Sequence, residues 1–207
     1  MTTMAKKKYK CSVCGTTNAF NVIMSTNSFG SPDLDLRPPE MQRSTMPYWL
    51  QECHKCRYVA EDISERANIK AEFLQSEEYL SCNGIKFKSE LAKRFYRYYL
   101  INLENKEFQD AFFAILHAAW ACDDEEDFDN AVKCRDVAVS LHSKLKPDEN
   151  LSVMKMDILR RSRQFETLIS EYSSVEYSQE ILNKIAKFQL QKAKEKDTAC
   201  YTVADVE

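Results

Sequence analysis

Four cysteines in two pairs are the residues of this sequence whose type and spacing point most directly to chemistry. Cys11 and Cys14 form one Cys-x-x-Cys pair, and Cys53 and Cys56 form the other. Two residues between thiolates allow both to reach one ion, and two such pairs complete the closed tetrahedral site of structural zinc. The segment 15–52 separates the pairs by 38 residues, so the ion would join two β-knuckles. We therefore predict Zn as a structural cofactor held by these four thiolates.

A redox-active dithiol and simple burial are the alternative interpretations of these pairs. A redox Cys-x-x-Cys usually occurs once and opens a helix after a strand. Here strand-like residues precede both pairs, at 8–10 and at 48–51. The duplication of the pair and this local context favour zinc.

Three residues next to the cysteines bear on the geometry of the site. Gly15 follows the first pair and suits the left-handed backbone of a knuckle. Arg57 has the equivalent place after the second pair, where a residue with a side chain is expected to be strained. His54 is adjacent to a ligand and is predicted to lie beside the site or on the surface.

The composition indicates a globular chain without a membrane-spanning segment. The 207 residues are 44% apolar, enough for one sizeable core or two small ones. Residues 1–10 are polar and no long apolar run follows, so we expect no membrane partner and a cytoplasmic location. The other cysteines are scattered, unlike a secreted disulfide framework, and are predicted to be apolar core residues: Cys82, Cys122, Cys134 and Cys200.

The charge argues against a strong electrostatic footprint for nucleic acid. The formal net charge is −3, and one zinc ion (+2) with four thiolates (−4) brings it to about −5. Basic residues nevertheless cluster around the knuckles: Lys6, Lys7, Lys8, Lys10, Lys55 and Arg57. Neutralising the anionic site is the favoured interpretation of this cluster, and nucleic-acid binding is the alternative.

Between the cysteine pairs, residues 33–37 alternate acidic and apolar side chains and run into Pro38 and Pro39. The alternation suits an extended edge, and the two prolines exclude a helix. On such an edge Asp33 and Asp35 would share one solvent-exposed face. We therefore do not expect them to act as a catalytic pair of carboxylates.

From Ile63 onward the sequence predicts an almost entirely helical chain. Gly84 is the only glycine and Pro147 the only proline after this point. Apolar residues recur at helical spacing in successive stripes, which include Phe87, Leu91, Phe95 and Tyr98, then Phe108, Ala111, Phe112, Ile115, Ala119 and Cys122, then Ala131, Cys134, Ala138, Leu141 and Leu145. Shorter stripes follow to Phe188.

Two turns in this helical part suggest a repeat. Phe128 and Phe165 each precede a helical stripe and lie 37 residues apart, close to the tetratricopeptide period of about 34. Aligning Ala131 and Ala138 with the small positions of the second repeat helix leaves Arg135 where an aromatic residue is usual.

These observations predict a mainly α protein in three parts. Residues 1–62 are expected to form a small β zinc ribbon. Residues 63–196 are expected to form a tetratricopeptide-like array of α-helical hairpins. Residues 197–207 are expected to form a C-terminal tail.

The chain resembles the bacterial family named domain of unknown function 2225. The resemblance is carried by residues 11–15, 33–37 and 46–58. The chain departs from the pattern in the knuckles, at Ser12, His54 and Arg57. The resemblance implies a cysteine-rich zinc ribbon followed by tetratricopeptide-like helices, and it implies no activity.

The sequence does not favour an enzyme. Three glycines are too few for a nucleotide fingerprint, and no histidine lies in a recognisable nucleophile motif. A zinc ion with four thiolates has no open position for water. We predict a non-enzymatic adaptor whose helical groove binds a protein or peptide segment, and the alternative is a zinc ribbon that binds nucleic acid.

The expected partner surface is a stripe on the helix that contains Ala119. It consists of Phe113, His117, Trp120 and Asp124, at spacings of four, three and four residues that keep them on one face. Aromatic residues supply much of the binding energy at protein interfaces. The alternative is that Phe113 and Trp120 are buried against neighbouring helices.

Overall fold

A computed structural model describes residues 1–206 and confirms a mainly α protein with a small N-terminal β region. The strands are β1 (Thr3–Lys10), β2 (Thr17–Ser25), β3 (Gln51–Glu52) and β4 (Val59–Ala60). The α-helices are α1 (Glu77–Leu80), α2 (Glu90–Glu104), α3 (Phe108–Asp124), α4 (Phe128–His142), α5 (Glu149–Arg161), α6 (Phe165–Tyr172) and α7 (Glu180–Lys194). Short 3₁₀ helices lie at Arg43–Tyr48, Ala71–Gln75, Ser81–Asn83 and Val203–Asp205. Among residues 1–206, no helix is both long and apolar enough to cross a membrane.

Two antiparallel hairpins carry the cysteine pairs. β1 pairs with β2, with Lys10 opposite Thr17 at the end that carries the first pair. β3 pairs with β4, and the second pair lies in the turn between them. Residues 48–51, which the sequence predicted as a strand, are mostly not one: Tyr48 ends a 3₁₀ helix that contains Pro47, Trp49 and Leu50 lie outside helix and strand, and only Gln51 enters β3.

Three turns between helices share one backbone geometry. The residue two before each new helix has a left-handed φ, at Lys106 (61°), Glu126 (54°) and Arg163 (63°). The next backbone N–H then closes the preceding helix with a bond to a carbonyl five residues earlier, as from Asp127 N to Cys122 O at 2.8 Å. A phenylalanine opens the following helix each time: Phe108, Phe128 and Phe165. The sequence prediction used the last two and missed Phe108, which lies only 20 residues before Phe128.

The N-terminal region and helices α2–α4 share one apolar core. Cys53 and Val59 of the second knuckle are fully buried in the same cluster as Phe95, Ile115 and Trp120. The predicted boundary after residue 62 therefore falls inside a continuous core. A second cluster joins α5, α6 and α7 and includes Leu34 from the N-terminal region.

The predicted C-terminal tail is packed against the N-terminal region. Leu34 N donates to Tyr201 O at 2.9 Å, and Val203 N donates to Pro32 O at 2.9 Å. Asp33 and Thr202 form the β-bridge between these two bonds. We call residues 31–34 and 201–203 the terminal clasp.

Candidate metal centre and predicted partner surface

The four predicted ligands come together in space. Their Sγ atoms all lie within 4.8 Å of one another, with 3.7 Å between Cys11 and Cys56 and 3.6 Å between Cys14 and Cys53. Zn–S bonds of about 2.3 Å in a tetrahedron require S···S distances of about 3.8 Å. A disulfide would need about 2 Å. The sulfur atoms are therefore placed to hold one metal ion, and within residues 1–206 this is the only such group of His, Cys, Asp or Glu.

Two matching turns place the cysteines. Gly15 N donates to Cys11 O at 2.8 Å, and Arg57 N donates to Cys53 O at 2.9 Å. Both turn residues are left-handed, with φ of 72° at Gly15 and 63° at Arg57. The expected strain at Arg57 is therefore present, and the ion pair from its Nε to Glu52 Oε1 at 2.8 Å helps to hold the turn.

Asn18 connects the two knuckles beside the sulfur atoms. It is buried, and its Nδ2 donates to Cys53 Sγ at 3.6 Å. Its Oδ1 accepts from His54 N at 3.0 Å and lies 2.7 Å from His54 Nδ1. His54 is therefore beside the site and is not one of its ligands. Sequence reasoning missed Asn18, since an asparagine in a strand has no spacing that marks it as a partner of a thiolate.

The thiols differ in acidity. Burial raises the pKa of Cys11 and Cys56. At Cys14 burial acts in the same direction, but hydrogen bonds from the Thr16 hydroxyl and backbone N–H outweigh it and lower the pKa to about 6. Only thiolates are metal ligands, so Cys11 and Cys56 would release protons on binding an ion at pH 7, whereas Cys14 would release few.

The predicted partner stripe lies on one face of α3, but the chain's own N-terminal region covers that face. Trp120 is 2% exposed, and its Nε1 donates to Asp35 Oδ2 at 2.7 Å. Phe113 is half-buried. Asp124 is exposed, and its carboxylate pairs with Arg37 at 2.6 Å. No groove runs along all four residues, because Asp35, Arg37 and Trp49 contact three of them, and only a small pocket of about 80 Å³ is open beside Phe113 and His117.

His117, at the centre of the stripe, is packed among aromatic rings. Its imidazole lies 5.2 Å from the rings of Trp49 and Phe95 and 4.6 Å from that of Trp120. Burial, together with the nearby charge of Arg37, lowers the pKa of His117 to about 3. The imidazole is therefore neutral at pH 7.

The prediction that Asp33 and Asp35 share a solvent face is wrong. Asp33 and Asp35 are both buried, at 2% and 0% exposure. Leu36, the residue after Asp35, is 46% exposed. The cause is a tight turn in place of an extended edge. Leu36 N donates to Asp33 O at 2.9 Å, Asp33 N donates to Arg37 O at 2.9 Å, and Leu36 has a left-handed φ of 65°.

Each of the buried carboxylates pairs with an arginine. Asp35 Oδ2 accepts from Arg161 Nη1 at 3.0 Å, in addition to the Trp120 indole. Asp33 pairs with Arg43 at 2.5 Å and accepts from the Cys200 thiol at 3.2 Å. Burial raises the pKa of Asp35, although the Arg161 charge opposes this. Both carboxylates serve to fix the turn.

Arg135 lies where the predicted repeat would have an aromatic residue. Its side chain is 2% exposed, and its two terminal nitrogens donate to Asp123 at 3.2 and 2.5 Å. Arg161 donates to the same carboxylate at 2.7 Å. These arginines lower the pKa of Asp123 in spite of its burial. The departure from the repeat pattern is thus an ion pair between α3 and α4 that also contacts α5.

Comparison with known proteins gave no relatives: no family model matches the chain, and neither a curated protein nor a solved structure matches it. The resemblance to the domain of unknown function 2225 therefore stays a prediction.

Proposed function

We propose that this protein is a non-enzymatic zinc-binding adaptor, in which the ion is structural and the helices bind a protein segment. The set of four sulfur ligands supports zinc, since thiolates in tetrahedral arrangement suit that ion. All four positions of the ion would be taken by cysteines, so the centre leaves no place for a substrate. Its role in this proposal is to hold the two hairpins against α2–α4.

A groove beside α2 and α4 carries the adaptor proposal. It has a volume of about 620 Å³ and is separate from the covered stripe. Its apolar wall is lined by Ile85, Phe87, Tyr96 and Val137. Grooves that combine aromatic and apolar walls with a polar rim are typical of peptide-binding sites.

The rim of the groove indicates what kind of segment fits. Lys86 and Lys133 are exposed at the rim together with Asp129, and the buried Asp127 also lines the groove. The lining therefore has two charges of each sign and favours a segment that places both an acidic and a basic residue beside the apolar side chain that enters the groove.

The test is cross-linking of partners to the purified protein and to two variants. Val137→Arg places a charge in the groove wall, and Val175→Arg places the same charge at a residue that is 40% exposed elsewhere. We expect one set of segments, each with an apolar residue flanked by charged residues, to be cross-linked by the wild type and by Val175→Arg and to be lost with Val137→Arg. Equal thermal melting of the variants is the control for folding. Identical cross-links in all three proteins would show that the groove does not bind these segments.

Nucleic-acid binding is the second candidate, and the charge distribution in the β1–β2 hairpin favours it. Residues 1–32 contain four lysines and no Asp or Glu. The whole chain has 29 basic and 32 acidic residues, so the remainder carries 25 basic against 32 acidic. The small net charge of the whole chain is thus the sum of a basic N-terminal hairpin and an acidic remainder.

Three of these lysines form one exposed row. Lys6, Lys8 and Lys10 alternate along β1, and their strand partners Asn21, Ala19 and Thr17 are exposed and uncharged. No ion pair among residues 1–206 involves the three lysines. Alternate residues of a strand are about 6.8 Å apart. Such a row suits contacts with successive phosphates.

Fluorescence anisotropy with a mixed-sequence oligonucleotide tests this candidate. Changing the three lysines to Gln is expected to weaken binding and to reduce its salt dependence by about one unit of slope per lysine. The charge-matched control changes three exposed lysines of α7 to Gln: Lys184, Lys187 and Lys194. Equal losses in both triple variants would mean that the hairpin has no specific role.

A further inference from the structure

A second pocket lies between α4, the α5–α6 turn and the residues after α7. Its volume is about 460 Å³. Three arginines line it, together with one carboxylate, an apolar wall and the chain just before the terminal clasp. The lining residues are Asp123, Phe128, Ala131, Val132, Arg135, Arg161, Arg163, Thr198, Ala199 and Cys200.

The guanidinium groups in this pocket outnumber the carboxylates that face them. Arg135 is held by Asp123, and Arg161 is shared between Asp123 and Asp35. Within the part of the chain that the structure describes, Arg163 has no carboxylate within ion-pair distance. Arg161 also lies 4.0 Å from Asp157, to which Arg160 donates. With this pair included, four arginines face three carboxylates, and the positive charge of Arg163 is left over.

Two of these arginines are fixed by ion pairs, and one of the two has a nitrogen without a partner. The side chains of Arg135 and Arg161 are only 2% and 8% exposed, and their ion pairs hold them in place. The buried Nε of Arg135 has no hydrogen-bond partner among residues 1–206. The left-handed turn at Arg163 sets its side chain at the pocket wall. Fixed guanidinium groups lose little entropy when they bind an oxyanion.

The apolar wall of the pocket contains an aromatic residue that is unusually exposed. Phe128 is 57% exposed, whereas Phe108 and Phe165, which open helices after the same type of turn, are half-buried. Ala131 and Val132 continue this wall from Phe128 into the pocket. A ligand with a flat apolar part would cover the exposed ring.

We propose that this pocket binds a small molecule that joins an oxyanion, phosphate or carboxylate, to an aromatic or other apolar group. The oxyanion contacts Arg163 and Arg161, and the apolar group packs on Phe128. Paired guanidinium forks match the oxygens of phosphate and carboxylate. This site is independent of the adaptor and nucleic-acid proposals, since it uses neither the α2–α4 groove nor the β1–β2 hairpin.

Isothermal titration of the full-length, zinc-loaded protein with phenyl phosphate tests the proposal, with inorganic phosphate and benzoate at the same ionic strength as further arms. We expect a dissociation constant for phenyl phosphate of about 1 mM or tighter and weaker binding of inorganic phosphate. Comparison with benzoate shows which oxyanion the arginines prefer. No saturation by phenyl phosphate or benzoate up to about 10 mM would overturn the proposal.

Arg163→Gln removes the unpaired charge, and Lys106→Gln is its matched control. Lys106 is exposed, has the same left-handed turn position and carries the same charge, but it does not line the pocket. Loss of one charge-assisted hydrogen bond should weaken phenyl phosphate binding about tenfold in Arg163→Gln and leave Lys106→Gln unchanged. Equal weakening in both variants would refute a specific site. Arg163→Asn, which tolerates the left-handed backbone, repeats the test if the glutamine variant is unstable.

Phe128→Ala tests the apolar half of the site separately. In this variant phenyl phosphate should bind no more tightly than inorganic phosphate, and the dissociation constant of inorganic phosphate should be unchanged. If the advantage persists in this variant, the aromatic contact is wrong.

Discussion

The indole Nε1 of Trp120 donates to Asp35 Oδ2 at 2.7 Å, across 85 positions of sequence. This bond ties helix α3 to the tight turn at residues 33–36. Asp35 is completely buried, so the indole and Arg161 are the groups that compensate its charge in the interior. The same tryptophan was expected to contact a partner, and its actual contact is within the chain.

Trp120→Ala is therefore expected to act on stability. A buried aromatic residue replaced by alanine costs about 3–5 kcal/mol, and here a buried carboxylate also loses a donor. Chemical denaturation followed by circular dichroism measures the free energy of unfolding. Phe128→Ala is the control for loss of an aromatic residue at an exposed site, with an expected cost below about 1 kcal/mol. Equal costs for the two variants would contradict the burial of Trp120.

Removal of the metal is expected to destabilise the helices as well as the hairpins. The knuckles lie in the same core as α2–α4, and structural zinc contributes about 10 kcal/mol to folding in small zinc-binding domains. We expect one zinc ion per chain by elemental analysis and a large drop in the melting temperature at 222 nm after chelation.

Cys53→Ser should reproduce the effect of chelation. Cys200→Ser, at an exposed cysteine outside the cluster, is the matched control and should retain the ion. A Cys53→Ser protein with stoichiometric zinc and unchanged melting would disprove the four-cysteine centre.

His117 is expected to make the stability fall in mild acid. Its pKa in the folded chain is lowered to about 3, below the value of about 6.5 in an unfolded chain. The unfolded state therefore binds a proton that the folded state does not. The contribution of the neutral imidazole is complete above about pH 6.5 and is lost towards pH 3, at up to about 1.4 kcal/mol per pH unit.

The comparison of wild type with His117→Phe isolates this contribution, because loss of metal in acid affects both proteins. The difference in unfolding free energy should change by about 1.6 kcal/mol between pH 6.5 and pH 5 in favour of the variant. Parallel pH curves for the two proteins would show that His117 does not titrate in this way.

Lys106→Gly is expected to stabilise the protein. The residue has a left-handed φ of 61° after α2, a position that usually has glycine. Relief of the backbone strain exceeds the extra entropy of glycine in the unfolded chain, so we expect a gain of about 0.5 kcal/mol. Lys106→Ala, measured by the same denaturation, removes the side chain without relieving the strain. A glycine variant less stable than the alanine variant would contradict the prediction.

The parts of the structure that depend on short sequence separations could be predicted. Each cysteine pair is set by a knuckle of a few residues, so the spacing identified the four residues that come together. The apolar periodicity identified the helices for the same reason, since residues three and four apart share a face. The position of Phe113, His117, Trp120 and Asp124 on one side of α3 could be predicted for the same reason.

The parts that depend on distant residues could not be predicted. Asp35 is buried because Arg161, 126 positions later, donates to it, and no local pattern contains that information. The alternation at 33–37 indicated an extended edge, but hydrogen bonds at Asp33 close a turn that reverses which side chains face solvent. What covers a helix face is likewise decided by segments far away in the chain, here residues 33–49.

The terminal clasp imposes an order on assembly. Asp33 and Cys200, in contact next to the clasp, are 167 positions apart. Closing a loop of that length costs about 4–5 kcal/mol of chain entropy, and pairings between such distant residues form slowly. The knuckles and helices α2–α4 are joined by much shorter loops and can assemble first. A chain still emerging from the ribosome can thus bring its four cysteines together once Cys56 has emerged and can then stack these helices, but it can close the clasp only after Val203 has emerged as well.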